Sequence, residues 1–98
     1  CVVAVPRTGG ELFPDHAEFG LDLAFTARAL RDAGQDPGSP FVERMNASTL
    51  VMGHSMGGGC SFLAAASDPS LTAVANVAAA ETNPSAVAAC GRPLRGLQ

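Results

Sequence analysis

The stretch that most constrains the fold is an apolar run that meets a serine among glycines, "STLVMGHSMGGGCSFL", Ser48–Leu63. The run Ser48–His54 is typical of a strand buried in a sheet, and the small residues after Ser55 predict a helix that continues to about Ser67. Residues Gly53–Gly57 match the pattern Gly-x-Ser-x-Gly. A strand that turns directly into a helix at this pattern exposes the serine hydroxyl above the sheet. The stretch therefore predicts that Ser55 is a catalytic nucleophile.

The close approach of strand and helix explains why glycines are expected around Ser55. Gly53 and Gly57 stand two residues before and after the serine, where strand and helix are expected to pass too closely for a Cβ. Gly58 and the glycine after it extend this tolerance for close packing of helix against sheet. The N-terminus of the helix directs free N–H groups and a partial positive charge toward a developing oxyanion. The backbone N–H of Met56 is therefore a predicted oxyanion donor.

The rest of the chain alternates between strand and helix patterns. A β-branched apolar run predicts a first buried strand at Cys1–Pro6, and helical spacing predicts a helix over Ala17–Ala33. The run Leu71–Ala79 predicts a third strand, and a short helix is expected near Pro84. Alternation of this kind predicts an α/β domain, residues 1–98, with a parallel sheet of about three strands and helices on both faces.

The limits of the first helix have signals of their own. Asp15 is a predicted N-cap with Glu18 three residues later, and Gly34 is a predicted C-terminal stop. The residues that fall on one side of this helix, and are expected to face the core, are Phe19, Leu23, Ala27 and Leu30.

Composition and charge exclude several classes of function. The net charge is −3, and the six basic residues are scattered arginines, so no basic patch indicates a nucleic-acid partner. No segment approaches the ~18 continuous apolar residues of a membrane span. The three cysteines, Cys1, Cys60 and Cys90, are spaced neither as a disulfide framework nor as a zinc site, and we expect them to be small buried residues.

The segment "VMGHSMGGGCSFLAA" resembles the nucleophile elbow of the α/β-hydrolase fold. More narrowly, it is similar to the branch that holds dienelactone hydrolases, chlorophyllases and cutinase-like polyester hydrolases. The resemblance implies hydrolysis of a small or polymeric carboxylic ester through an acyl-enzyme, with no metal or organic cofactor. It also implies that His54 belongs to the elbow pattern and packs beneath it.

A serine nucleophile needs a histidine base and an acid that orients it, and in this fold both follow the serine along the chain. The two histidines, His16 and His54, both precede Ser55. The side chain of His54 is expected to diverge from that of Ser55. His16 lies near a helix start, where a solvated or capping role is expected, with a position over the active site as the alternative.

Two acidic residues follow the serine. Asp68 precedes a proline at a helix end and is predicted to be a turn residue. Glu81, just past the third strand, is the candidate triad acid within this chain, with a rim or structural role as the other interpretation. The resemblance places acid and histidine beyond Gln98, and the second oxyanion donor before Cys1. We therefore expect an internal fragment that is inactive in isolation.

Two other interpretations remain open at this point. Gly-x-Ser-x-Gly also occurs in thioesterases, peptidases and acyltransferases, and the motif does not choose among them. Alternatively, the chain is a catalytically inert domain whose elbow has only a structural role.

Overall fold

The computed structural model describes residues 14–89 and 96–97, which form alternating helices and strands. In chain order the elements are α1 His16–Ala33, β1 Leu50–His54, α2 Met56–Ser67, β2 Ala73–Val77, α3 Ala86–Ala89 and β3 Gly96–Leu97. The predicted helices after Asp15 and after Ser55 are confirmed, and the predicted third strand is present within narrower limits. The strand expected at Cys1–Pro6 lies outside the described residues.

The three described strands form one parallel sheet in the order β1-β2-β3. Leu50 pairs with Ala73 and the register continues to His54 beside Val77, while β3 pairs with Val74 and Ala75. The α/β class is therefore confirmed. The short β3 lies in the C-terminal segment, where the sequence shows no strand period.

The described helices cover one face of the sheet. Val51 and Val74 point to this face and form a core with Ala24 of α1 and with Ala64 and Ala65 of α2. On the opposite face Leu50, Met52 and Val77 are 52%, 63% and 61% exposed. The expected helices on both faces are thus not found among residues 14–89 and 96–97.

Helices α1 and α2 approach closely because small residues lie between them. Gly20 and Ala24 are the buried residues of α1, whereas the four residues predicted to face the core are half-buried, and two of them, Leu23 and Ala27, pack against it. A Cβ at Gly20 would lie 2.8 Å from the Cβ of Leu63. The buried stripe of α1 is therefore centred on its smallest side chains, which the hydrophobic spacing did not indicate.

Both ends of α1 lie where the sequence predicts them, but only the N-terminal one is capped in the predicted way. The carboxylate of Asp15 accepts a hydrogen bond from the Glu18 N–H at 3.0 Å, as an N-cap does. Gly34 ends the helix in a right-handed conformation, with φ −66°. A Cβ at Gly34 would lie 2.6 Å from that of Met45, so close approach of the following loop, and not a left-handed turn, explains this glycine.

A cluster of polar side chains lies at the end of the sheet that is remote from Ser55. The carboxylate of Asp68 accepts hydrogen bonds from the Ser70 N–H and hydroxyl at 2.9 and 2.6 Å, and Arg28 lies 3.5 Å from it. Arg31 donates to the Ser70 hydroxyl at 2.9 Å. Asp68 is therefore the turn residue that the sequence predicts, and it links α1 to the α2–β2 connection.

Cys60 is fully buried in α2, as predicted, and burial raises the pKa of its thiol. Cys1 and Cys90 lie outside the described residues.

None of the helices that the structure describes is long and apolar enough to cross a bilayer.

Candidate functional site

Ser55 lies between the last residue of β1 and the first residue of α2, in a strained backbone conformation. Its φ is 54° and its ψ is −121°, a combination that L-residues rarely adopt and that costs about 1–3 kcal/mol. The residue is exposed, and its hydroxyl makes no capping hydrogen bond to α2. The strand-to-helix turn thus places an exposed serine at the carboxyl end of the sheet.

Backbone hydrogen bonds hold this conformation from both sides. The Ser55 N–H donates to the carbonyl of Val77 at 3.1 Å. The Ser55 carbonyl accepts from the N–H groups of Gly58, Gly59 and Ala80 at 3.0, 3.2 and 2.8 Å. The turn is therefore fixed by α2, by the end of β2 and by the loop that follows β2, which together offset the cost of the strain.

Three glycines make this arrangement sterically possible. A Cβ at Gly53 would overlap the carbonyl of Gly57, and one at Gly58 would lie 2.9 Å from Ala79. A Cβ at Gly59 would overlap the carbonyl of Ala80. Gly58 and Gly59 therefore make room for the loop after β2, and not only for the sheet as the sequence suggested.

The steric reason predicted for Gly57 is wrong. Apart from its chain neighbours and the backbone of α2 itself, no heavy atom of the described residues lies within 4 Å of the position where its Cβ would stand. Of the two glycines of Gly-x-Ser-x-Gly, only Gly53 on the strand side is therefore sterically required, because the α2 backbone passes directly over it.

The N-terminus of α2 is arranged to stabilise negative charge. The N–H groups of Met56 and Gly57 precede the first intrahelical bonds and find no acceptor among the described residues. The first turn contains no acidic residue that would neutralise the partial positive charge. Met56 is the first residue of α2 and directly follows Ser55, and its role as oxyanion donor stays a prediction.

His54 does not pack beneath the elbow. It is exposed and extends from the same face of β1 as Leu50 and Met52, the face that the described helices leave open. The expectation that it packs under the turn is wrong for this structure, because the alternation of strand side chains directs it away from α2.

His16 has a role that the sequence did not predict. It is the first residue of α1 and is half-buried, and its Nδ1 accepts a hydrogen bond from the backbone N–H of Asn83 at 3.1 Å. The ring thus joins the start of α1 to the loop after β2. This contact spans 67 positions of the chain, and no local pattern signals it.

Glu81 is exposed on the same loop, one residue after Ala80. In the described part of the chain its carboxylate is hydrogen-bonded to neither His16 nor His54. The structure therefore brings Glu81 near the elbow backbone but does not assemble a triad from it.

A buried amide supports α2 from the sheet side. Asn76 of β2 is 8% exposed, and with its amide oriented to satisfy its neighbours it donates to the carbonyls of Ala75 and Gly58 at 3.0 and 3.2 Å. It therefore ties β2 to the first turn of α2. The signal that could have revealed it is a single polar residue within the apolar run "LTAVANVAA".

No group of three His, Cys, Asp or Glu side chains in residues 14–89 and 96–97 is placed to hold a metal ion. Comparison of the sequence with protein-family models yields no match, and comparison with curated proteins yields none either.

Proposed function

We propose that this chain carries the nucleophile of a carboxylic ester hydrolase that acts through an acyl-enzyme. The observation that carries the proposal is the conformation of Ser55, φ 54° and ψ −121°, on an exposed residue between a buried strand and a helix N-terminus. A glycine-rich turn with only a structural role would have no need of a serine in a conformation that disfavours every L-residue. The likeness of "GHSMGGG" to the dienelactone hydrolase and cutinase-like branch of the α/β hydrolases favours esters.

In the proposed mechanism the Ser55 Oγ attacks the ester carbonyl carbon while a base removes its proton. The carbonyl oxygen becomes an oxyanion, which the Met56 N–H stabilises together with the partial positive charge of α2. Collapse of this intermediate expels the alcohol, which takes up the proton, and leaves Ser55 acylated. Water then attacks the acyl group with the same base, and the acid is released.

In this proposal the described residues do not themselves provide the base and the acid of the triad. Among the described residues neither His16 nor His54 is hydrogen-bonded to Ser55: the Nδ1 of His16 accepts from the Asn83 N–H, and His54 extends from the sheet face that the described helices leave open. Within residues 14–89 and 96–97, the proposed site comprises the nucleophile, one oxyanion donor and the loop beside them. An added base should therefore be needed for rapid acylation.

The proposal is tested by acylation of Ser55 with imidazole supplied as the base. The protein is incubated with p-nitrophenyl butyrate, with a butyryl thioester and with a peptide p-nitroanilide, and the acyl-enzyme is mapped by peptide mass spectrometry. We expect a Ser55 adduct that forms with the oxygen ester faster than with the thioester or the anilide. Ser55→Ala should abolish it, and Ser48→Ala, at an exposed loop serine, should not.

Acylation spread over several serines, or unchanged in Ser55→Ala, would overturn the proposal. Preferential reaction with the thioester or the anilide would keep the nucleophile and replace the ester substrate with a thioesterase or peptidase substrate.

A further inference from the structure

We propose that His16 is a positioning residue for the nucleophile and acts through the post-β2 loop, defined as residues 78–83. The effect on Ser55 reactivity rests on the proposed function, whereas the tether itself does not. In this role the imidazole never contacts substrate. It anchors one end of the loop whose Ala80 N–H binds the Ser55 carbonyl.

The post-β2 loop contacts the elbow along its length. The Ala80 N–H donates to the Ser55 carbonyl at 2.8 Å, the shortest of the three hydrogen bonds that this carbonyl accepts. Ala79 faces Gly58 and Thr82 faces Gly59, each so closely that the helix residue has room for no Cβ. Thr82 is 6% exposed. Any displacement of the loop would therefore change the position of the Ser55 backbone.

The post-β2 loop has no regular secondary structure that would fix its position. It begins at Ala78, whose φ of 46° lies in the left-handed region that alanine disfavours by about 1–2 kcal/mol. The residues between β2 and α3 form no helix or strand. Such a segment stays in one position only where contacts outside it fix its course.

His16 supplies such a contact at the far end of the loop. Its Nδ1 lies 3.1 Å from the Asn83 nitrogen, and Nδ1 can accept this hydrogen bond only if it carries no proton. Since His16 is the first residue of α1, the anchor stands on a helix that is packed against α2 through Gly20. The loop is thus fixed at Ser55 by Ala80 and at α1 by Asn83.

The inference is tested by comparing His16→Ala with His16→Asn, because the Asn Oδ1 can occupy the acceptor position of the imidazole Nδ1. Three quantities are measured: amide hydrogen exchange at Asn83 and Ala80, the rate at which a fluorophosphonate labels Ser55 in the presence of imidazole, and the urea unfolding midpoint. Glu18→Gln, at an exposed residue in the same turn of α1, is the control.

For His16→Ala we expect exchange at both amides to accelerate about five- to tenfold, the effect of losing one hydrogen bond. Labelling of Ser55 should slow several-fold, while the unfolding midpoint falls only by what one hydrogen bond contributes, and His16→Asn should restore both exchange and labelling. A purely structural role would lower the midpoint without slowing the labelling of Ser55.

Unchanged exchange in His16→Ala would overturn the tether. Faster exchange with unchanged labelling would overturn the positioning role. If Ser55 of the unaltered protein is not labelled at all, the proposed function fails, and hydrogen exchange still decides whether His16 holds the loop.

Discussion

At the residue scale, the proposed chemistry depends on the backbone of Ser55. Four hydrogen bonds meet at this residue, one donated by its N–H and three accepted by its carbonyl, and they hold φ at 54°. With this positive φ, Ser55 is exposed at the carboxyl end of β1, directly before Met56 at the N-terminus of α2.

The strain at Ser55 predicts an unusual order of stabilities. Ser55→Gly should be more stable than Ser55→Ala by about 1–2 kcal/mol, because glycine adopts positive φ without a steric cost. Urea denaturation of both variants measures the difference. At Ser48, which does not have a positive φ, the same pair should show no advantage for glycine. Equal stability of the two Ser55 variants would contradict the strained conformation.

The two glycines of Gly-x-Ser-x-Gly should respond oppositely to substitution. Gly53→Ala should lower the free energy of unfolding by about 3 kcal/mol or more, since its Cβ would overlap the Gly57 carbonyl. Gly57→Ala should be neutral or stabilise by up to about 1 kcal/mol, because the space is open and alanine favours the helix. Thermal and urea unfolding test both. Similar losses at the two positions would show that α2 does not start as described.

At the element scale, the packing of α1 on α2 sets the position of the whole site. Alanine normally stabilises a helix interior relative to glycine by about 1 kcal/mol. Gly20→Ala should nevertheless destabilise the protein by about 1–3 kcal/mol, because its Cβ would stand 2.8 Å from that of Leu63 and force the helices apart.

Gly38→Ala is the matched control for Gly20→Ala. The added Cβ at Gly38 would meet only a carboxylate oxygen of Asp36 at 3.4 Å, an ordinary contact at the surface. Denaturation of the two variants should separate them clearly. A stabilising Gly20→Ala would mean that the helices lie further apart.

The elements that the sequence predicted well are those with local signals. α2 begins after Ser55 and ends at Ser67 as expected, because the turn pattern and the Asp68-Pro69 step mark both limits. The N-cap at Asp15 is equally local. β3 was missed because a two-residue strand has no measurable period, and its pairing with β2 is a long-range contact.

The site was predictable only where it depends on neighbours in the chain. The positions of Ser55, Gly53 and Met56 in the strand-to-helix turn follow from one motif. The hydrogen bond from Asn83 to His16 and the open space at Gly57 depend on how separate segments pack, which no motif encodes. The alternation of β1 could have placed His54 on the open face, but the resemblance directed the prediction elsewhere.

At the scale of the whole molecule, we expect the free energy of unfolding to depend on pH because of Asp68, which lies at the end of the sheet remote from Ser55. The hydroxyl of Ser70 is the main cause that lowers the pKa of Asp68, with further contributions from the Ser70 N–H and from Arg28 and Arg31, against an opposing effect of burial. The unfolded chain therefore binds this proton more readily than the folded protein does. Stability from Asp68 is present above the ordinary carboxyl pKa and is lost as the pH falls through the lowered one.

Urea titrations between about pH 6 and pH 3 measure this effect, a range that spans the ordinary Asp pKa. The slope of unfolding free energy against pH should be smaller in Asp68→Asn than in the unaltered protein. Ser70→Ala should reduce the slope as well, because it removes the largest cause of the shift. A slope unchanged in both variants would contradict the assignment.

The most direct test of the central claim is the site at which a fluorophosphonate reacts. Labelling is followed by peptide mass spectrometry as imidazole is raised, in the unaltered protein and in Ser55→Ala. We predict modification at Ser55 alone, at a rate that increases with imidazole, while the exposed Ser48 and Ser67 stay unmodified. Labelling that is absent at every imidazole concentration, or that falls equally on the other exposed serines, would contradict the claim that this turn was built for a nucleophile.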